Sequence, residues 1–312
     1  MAVERPELER ILCPVDFSDF SRPALSHALH LAGFYGASLK VLHVYHLPMP
    51  PVAAGDPGLY VLSGPNRQEL IDALERIVKD VGPGEVAVTC QVREGVVWRE
   101  IVDELTEGAH DLLVVGTHGR GGFERLMLGS VTERVLKRAP CRTLVIPQSA
   151  LARDRADRVL FRRLLCPVDF SDASIASVGT ALGLAKESGG KVTLVHVVPF
   201  ATPDWLPGTT GFDAEALGRD LERDARERLD GLVRPEDHEW RDPEHLVVFG
   251  APSTEILRLA QDREVELVVM GSAGHGAIAG GWLFGSTTEH VVRACPCPVL
   301  TVPDPANPPA RR

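Results

Sequence analysis

Two tandem copies of a parallel, doubly wound α/β domain are the architecture this sequence predicts, and three observations carry the reading. The octapeptide LCPVDFSD occurs at Leu12 to Asp19 and again at Leu165 to Asp172. Later landmarks recur in the same order: His43-Val44 returns as His196-Val197, Gly116 as Gly271, Gly129-Ser130 as Gly285-Ser286 and Pro147 as Pro303. A period of about 155 residues is too long for a solenoid and matches a whole domain. Within each copy, short apolar runs rich in β-branched residues alternate with longer stretches of helical periodicity, the pattern of a parallel sheet covered by helices. The length of 312 residues accommodates two such units. The expected organisation is a first domain over residues 1–148, a linker over 149–160, a second domain over 161–304 and a disordered tail over 305–312.

The elements of the first copy follow in order. Strand Ile11 to Val15 leads into a helix from Pro23 to Tyr35, then strand Leu39 to Tyr45 and a helix from Gln68 to Val81. Strand Val86 to Arg93, helix Val97 to Gly108, strand Leu112 to Thr117, helix Val131 to Arg138 and strand Thr143 to Ile146 complete it. Right-handed crossovers between parallel strands wind such a sheet in both directions and put its ligand crevice beyond the carboxyl ends of the strands. Two connections, His46 to Pro65 and Pro199 to Asp213, are long and rich in Pro and Gly. They fit lids or partner-contacting segments, and equally unselected surface insertions. The stretch Gln148 to Arg163 mixes Ala with alternating Arg and Asp, a short helical or extended connection rather than a flexible tether.

Composition excludes several classes. With 44% hydrophobic and 24% charged residues the chain is neither disordered nor fibrous. Thirty-three Lys and Arg against 43 Asp and Glu give a net charge of −10, which repels nucleic acid in the absence of a basic block. No run reaches the ~18 apolar residues of a membrane span, and the opening MAVERPELERILCPVDF lacks the apolar core of a signal peptide, so a cytoplasmic protein away from membranes is expected. Cys13, Cys90 and Cys166 lie in apolar strand-like runs and read as reduced, small hydrophobes. Cys295 and Cys297 flank Pro296 with no second ligand pair at zinc-finger spacing, which favours an ordinary strand entry over a metal site.

The chemistry concentrates in GTHGRGGFERLMLGSVTERV, after the fourth strand. Gly116, Gly119 and Gly129 let the main chain approach an oxyanion, because no Cβ stands in the way. Gly129 and Ser130 open a helix whose unpaired N–H groups suit a phosphate, with Val131 in its first turn and the Ser130 hydroxyl as an added donor. His118, Arg120 and Arg125 in the loop supply positive charge for a polyphosphate. A competing reading makes Ser130 with Glu133, and Ser286 with Glu289, simple capping boxes, which explains Ser and Glu but not three glycines around a polar loop. No Gly-Lys-Ser/Thr of the P-loop type is present, and the Gly-x-Gly-x-x-Ala run at Gly274 to Ala279 follows the wrong strand for a dinucleotide fold.

The combination of PVDFSD at the first strand, LHV at the second and G-x-x-G-x9-G-S from Gly116 to Ser130 resembles the ATP-binding branch of the universal stress protein family, over nearly the whole chain and in both halves. The resemblance implies Rossmann-like (adenine nucleotide alpha hydrolase-like) domains with strand order 3-2-1-4-5. It also implies ATP with Mg2+ or Mn2+ between the first and fourth strands, and pairing of the halves through their fifth strands as an internal pseudo-dimer, with homodimerisation left open. Carried onto this chain, Asp16 bonds the ribose, Val44 meets adenine through its main chain and Pro14 packs beside the base. Gly116, His118, Gly119, Arg120, Gly129, Ser130 and Val131 hold the phosphates. A weaker second site maps to Pro167, Asp169, Val197, Gly271, Gly274, Gly285 and Ser286. His43 and His196 read as hydrogen-bonded core residues rather than catalytic ones. The implied function is a nucleotide-responsive stress or signalling module. Fast hydrolysis is not implied, because the loop offers no evident general base; a slow ATPase or autophosphorylating enzyme and a nucleotide-free scaffold are the alternatives.

The second copy departs from the pattern. Between Gly274 and Gly285 stand ten residues, HGAIAGGWLF, where the signature has nine, and Ala273 replaces His118. His275 is the loop's basic residue, while Trp282, Leu283 and Phe284 make its end apolar, fitting contact with the partner domain or a different ligand.

Overall fold

The computed structural model describes residues 8–46, 65–82, 86–117, 128–147, 161–199, 214–233, 242–274 and 284–305. The long connections, the linker, the tail beyond residue 305 and most of both glycine loops lie outside them. The first half runs β1 (Arg10–Pro14), α1 (Ser21–Tyr35), β2 (Ser38–Tyr45), α2 (Arg67–Val81), β3 (Val88–Glu94), α3 (Val97–Glu107), β4 (Leu112–Gly116), α4 (Ser130–Leu136) and β5 (Arg142–Ile146). The second runs β6 (Arg163–Pro167), α5 (Asp172–Ser188), β7 (Lys191–Val198), α6 (Ala214–Asp230), β8 (Glu244–Phe249), α7 (Pro252–Asp262), β9 (Leu267–Gly271), α8 (Ser286–Ala294) and β10 (Val299–Val302). Local chemistry sets the boundaries. The Asn66 side chain accepts the Gln68 N–H to open α2, and α1 and α5 stop at Gly36 and Gly189, whose φ of 67° and 64° glycine adopts without a Cβ penalty.

All strands join one sheet in the order β3-β2-β1-β4-β5-β10-β9-β6-β7-β8. Each half therefore has the expected order 3-2-1-4-5. Both faces are covered, so the central strands are apolar on both sides, as parallel sheets demand. In β1, Ile11 and Cys13 enter the layer shared with Leu25 of α1, Leu74 of α2, Val178 of α5 and Leu229 of α6. Leu12 enters the opposite layer with Ile101 of α3, Val135 of α4, Ile256 of α7 and Val291 of α8. No helix among the described residues is long and apolar enough to cross a membrane.

The halves meet at the sheet's antiparallel pair, β5 against β10. Leu144 faces Leu300, flanked by Val145 opposite Val299 and Thr143 opposite Thr301, and Thr301 Oγ1 donates to the Thr143 carbonyl at 3.3 Å. Leu144 and Leu300 are counterparts in the repeat, so an approximate twofold axis passes between them and each strand covers the other's edge.

The copies fill the layer beneath α3 and α7 differently. Glu104 of α3, 1% exposed, accepts hydrogen bonds from Lys40 Nζ of β2 at 2.6 Å, from His110 Nε2 at 3.1 Å and from Arg93 of β3. In the second half Leu259, Val265 and Val248 stand in the places of Glu104, His110 and Arg93, and Thr193 in that of Lys40. Burial by itself would raise the Glu104 pKa, but the Lys40 and His110 hydrogen bonds and the Lys40 and Arg93 charges bring it below its ordinary value. For His110, burial outweighs Glu104 and lowers the pKa.

Both shifts give stability the same pH dependence. Below about pH 6.5 the unfolded chain protonates His110 before the folded one does, so the unfolded state binds more protons and stability falls with pH. Glu104 extends the trend: its contribution is present above the ordinary carboxylate pKa and is lost as pH falls through the depressed folded value. Urea unfolding midpoints should decline from about pH 7.5 to about pH 5 in the wild type and decline less in His110→Val, which installs the second half's residue. Equal slopes would contradict the assignment.

Candidate functional site

The crevice begins with a hydrogen bond that cannot form. β1 pairs with β4 at Ile11 opposite Leu112 and Leu12 opposite Leu113, while its pairing with β2 continues to Pro14 opposite Leu42 and that of β4 with β5 to Gly116 opposite Ile146. Strand alternation explains the difference. The Arg10 carbonyl accepts from Asp111 on the β4 side, and the Val15 N–H donates to Leu42 on the β2 side, so even-numbered residues of β1 face β4. Pro14 is the next residue due to donate there, and it has no N–H. Pro167 repeats the arrangement: Arg163 accepts from Glu266 on the β9 side, Val168 donates to Val195 on the β7 side, and the β6–β9 ladder stops at Leu165 opposite Val268. Each stop falls where the strand order reverses, the place where doubly wound sheets admit ligands.

The chain then turns sharply. Phe17 and Phe170 have φ of 63° and 65°, a conformation that costs a bulky residue about 1–2 kcal/mol. Aromatic contact offsets the strain: the Phe17 ring lies 4.4 Å from His43 and the Phe170 ring 4.7 Å from His196, centroid to centroid. Each histidine is fixed in turn, Nδ1 of His43 donating to the Val15 carbonyl and Nδ1 of His196 to that of Val168, both at 2.7 Å. Both histidines are hydrogen-bonded within the fold, as expected. Asp16 Oδ1 accepts from Ser18 N–H at 3.0 Å and Ser18 Oγ at 2.5 Å, and Asp169 Oδ1 is held identically by Ser171. The turn thus presents an oriented carboxylate at the end of the first strand of each half.

Val44 and Val197 lie two residues beyond Leu42 and Val195, whose carbonyls take the N–H of Val15 and Val168, the first residues after β1 and β6, at 2.8 Å. Alternation along a strand aims their main-chain groups the same way, over the gap left by the diverging strands.

On the β4 side the ends of the glycine loop are pinned together. Gly129 N–H donates to the Thr117 carbonyl at 2.8 Å and Gly285 N–H to the Ser272 carbonyl at 3.0 Å. Thr132 Oγ1 donates to the Gly116 carbonyl at 2.9 Å and Thr288 Oγ1 to that of Gly271 at 3.0 Å, tying helix to strand. At Gly271 an added Cβ would lie 2.9 Å from the backbone of Ala173 and Ser174, and at Gly274 only 2.4 Å from Asp169 Oδ2. Gly271 therefore requires the bare backbone, while at Gly274 the Asp169 carboxylate would have to shift.

The capping-box reading of these serines is corrected. Gly129 and Gly285 are the N-cap residues, so Ser130 and Ser286 are the first helical residues and make no side-chain cap. Glu133 and Glu289 then stand one place too far into the helix to reach back, and they pair with Lys137 at 2.6 Å and with Arg293. Ser130 is exposed and Val131 half-buried. Pro14, Asp16, Val44, Gly116, Gly129, Ser130 and Val131 are thus placed at the carboxyl ends of β1, β2 and β4 and the start of α4. Pro167, Asp169, Val197, Gly271, Gly274, Gly285 and Ser286 take the matching places in the second half.

His118, Gly119, Arg120 and Arg125 lie outside the described residues, as do His275, Trp282 and Leu283. Phe284 packs against the apolar layer in which its counterpart Leu128 is buried, so its apolar character serves the core rather than a ligand. Among the described residues no three His, Cys, Asp or Glu side chains gather as a metal site.

The sequence profile of the universal stress protein family matches residues 7–147 and again residues 160–303. The chain belongs to the universal stress protein family. A universal stress protein of Mycolicibacterium smegmatis is 27% identical over 311 residues, 94% of this chain and 96% of its own length. One from Methanocaldococcus jannaschii is 34% identical over 139 residues, 44% of this chain and 81% of that protein. Among solved structures, a protein of unknown function from Pseudomonas aeruginosa shares the fold at TM-score 0.66 and 16% identity, covering 96% of this chain and 94% of that one.

The Thr132 clasp gives this universal stress protein a measurable signature. Thr132→Val removes the donor to the Gly116 carbonyl and should lower stability to urea by about 1 kcal/mol. An unchanged midpoint would show that the clasp does not hold α4 to β4.

Proposed function

We propose that this universal stress protein binds ATP in the crevice between β1 and β4 and acts as a nucleotide-responsive stress or signalling module. In this reading its domains, residues 1–148 and 161–304, work as an internal pseudo-dimer about the β5–β10 pair. The observation that carries it is the junction at the reversal of strand order. There the ladder stops at Pro14, the Phe17 turn presents Asp16, and Ser130 opens α4 without spending its hydroxyl on a cap.

Each residue then has a physical role. Asp16 accepts from ribose hydroxyls, the main chain of Val44 meets the adenine edge and Pro14 packs beside the base. Gly116, Gly119 and Gly129 admit the phosphates close to the backbone, and the N–H groups of Ser130 and Val131, the Ser130 hydroxyl, His118 and Arg120 bind them. The donor set fits a nucleotide and supplies few ligands for a bare cation. Mg2+ or Mn2+ would therefore ride on phosphate oxygens and water, as Mg2+ does at many nucleotide sites.

The second site shares the proline stop, the turn and the glycine clasp, but its loop carries His275 where the first carries His118, Arg120 and Arg125. Weaker binding there follows from the lost charge and from one extra residue displacing the loop.

Calorimetric titration with ATP and Mg2+ tests the assignment. Asp16→Ala should weaken the tighter site by about 1–3 kcal/mol, and Gly129→Val should abolish it by blocking phosphate approach. Asp169→Ala should leave the tighter site unchanged. Wild-type affinity in both first-half variants would overturn the placement, and loss of the tighter site in Asp169→Ala would reverse the order of the two halves.

A further inference from the structure

The second half contains a thiol pair that nucleotide binding does not use. Cys295 Sγ and Cys297 Sγ stand 3.5 Å apart, in van der Waals contact, with the residues 4% and 2% exposed. We propose that Cys295 and Cys297 form a redox site that closes to an intramolecular disulfide under a two-electron oxidant of the peroxide class.

The local sequence builds the pair. α8 ends at Ala294, and Cys295 caps it in an extended conformation, φ −64° and ψ 134°, with its N–H donating to the Val291 carbonyl at 2.8 Å. Pro296 disfavours helix at the residue before it, which keeps Cys295 extended. Residues two apart along an extended chain point to the same side, and both thiols enter the apolar layer with Val291, Leu259 and Val265. A disulfide requires about 2.05 Å between sulfurs, a closure on the order of 1.5 Å from the observed contact. A bridge across one residue is strained, which makes it easily reduced and suits a reversible site rather than a structural staple.

Among the described residues no other pair of thiols is in such contact. Burial pushes Cys13, Cys141 and Cys166 up to about 12; what sets Cys295 and Cys297 apart is the second sulfur in contact, which can resolve an oxidised first one. Cys141 is the first-half counterpart of Cys297, but Ala139 stands where Cys295 would be.

The reaction balances with hydrogen peroxide. One sulfur, as thiolate, attacks a peroxide oxygen and breaks the O–O bond, leaving a sulfenic acid and, after proton transfer, one water. The neighbouring sulfur then attacks the sulfenic sulfur, the S–S bond forms, and the hydroxyl leaves with the thiol proton as a second water. Two thiols are oxidised by two electrons and peroxide is reduced to two waters. Burial slows the first step, while contact distance makes the second faster than further oxidation. Because Cys297 lies two residues before Val299, which pairs with Val145 of β5, the bridge would tie the end of α8 to the strand that joins the halves.

The full-length protein is incubated with hydrogen peroxide, denatured, blocked with N-ethylmaleimide and digested for mass spectrometry. The peptide carrying Cys295 and Cys297 should be two hydrogens lighter and unblocked, and dithiothreitol should restore its blocking, while Cys13, Cys141 and Cys166 stay fully blocked. In Cys295→Ala, which installs the first half's residue, Cys297 should form no disulfide. Blocking of both cysteines after peroxide, gain of oxygen without an S–S bond, or a Cys297 disulfide to another cysteine would overturn the proposal.

Discussion

A missing amide hydrogen at Pro14, repeated at Pro167, shapes the carboxyl edge of each half. A parallel ladder continues while each inward-facing residue can donate and accept, and proline ends it on one side without disturbing the other. β1 therefore stays paired with β2 while it parts from β4. The separation leaves main-chain groups of Val44 facing a gap and obliges the chain to turn at once. That turn places Phe17 in a strained conformation, which His43 and the Ser18 contacts to Asp16 hold in place. Motif residues that look like separate ligand contacts in sequence are thus parts of one local arrangement at the end of β1, where the ladder with β4 stops and Ser18 holds the Asp16 carboxylate.

The frame is common to both halves, and the differences lie in what fills it. The self-complementary register of β5 and β10 fixes the two copies back to back, so either can change its interior without disturbing the junction. Under α3 the first half buries an ion cluster around Glu104, whereas the second uses Leu259 and Val265. Both satisfy the packing. In that layer it is the cluster that titrates, with Glu104 and His110 both held below their ordinary pKa values, and a buried carboxylate stripped of its partners would be far costlier than a leucine. The same divergence appears in the charge of the glycine loops and in the paired thiols after α8.

Much of this was legible in the sequence, for physical reasons. Apolar runs bounded by glycine and charged residues marked β2 as Leu39 to Tyr45 against the observed Ser38–Tyr45, and α2 as Gln68 to Val81 against Arg67–Val81, because burial on both faces leaves little else a strand can be. The repeat led to two like domains, and the family resemblance implied that they join through their fifth strands, as β5 and β10 do. Other features depend on register, which composition does not carry. That Pro14 faces β4 rather than β2 follows from odd and even positions along β1. That Ser130 is the first helical residue rather than the cap follows from the backbone of Gly129, and it turns an apparent capping box into a hydroxyl at the crevice. The Glu104 cluster draws on Lys40, Arg93 and His110 from three separate segments, so no local pattern announced it.

The central claim, that the parting of β1 and β4 makes a nucleotide site, is tested most directly by a crystal structure of the protein with Mg2+ and a non-hydrolysable ATP analogue. The account predicts density for the analogue in the first half, with ribose on Asp16, adenine against the main chain of Val44 and phosphates over Gly129 and Ser130. Density elsewhere on the molecule, or an empty crevice at saturating analogue, would contradict it.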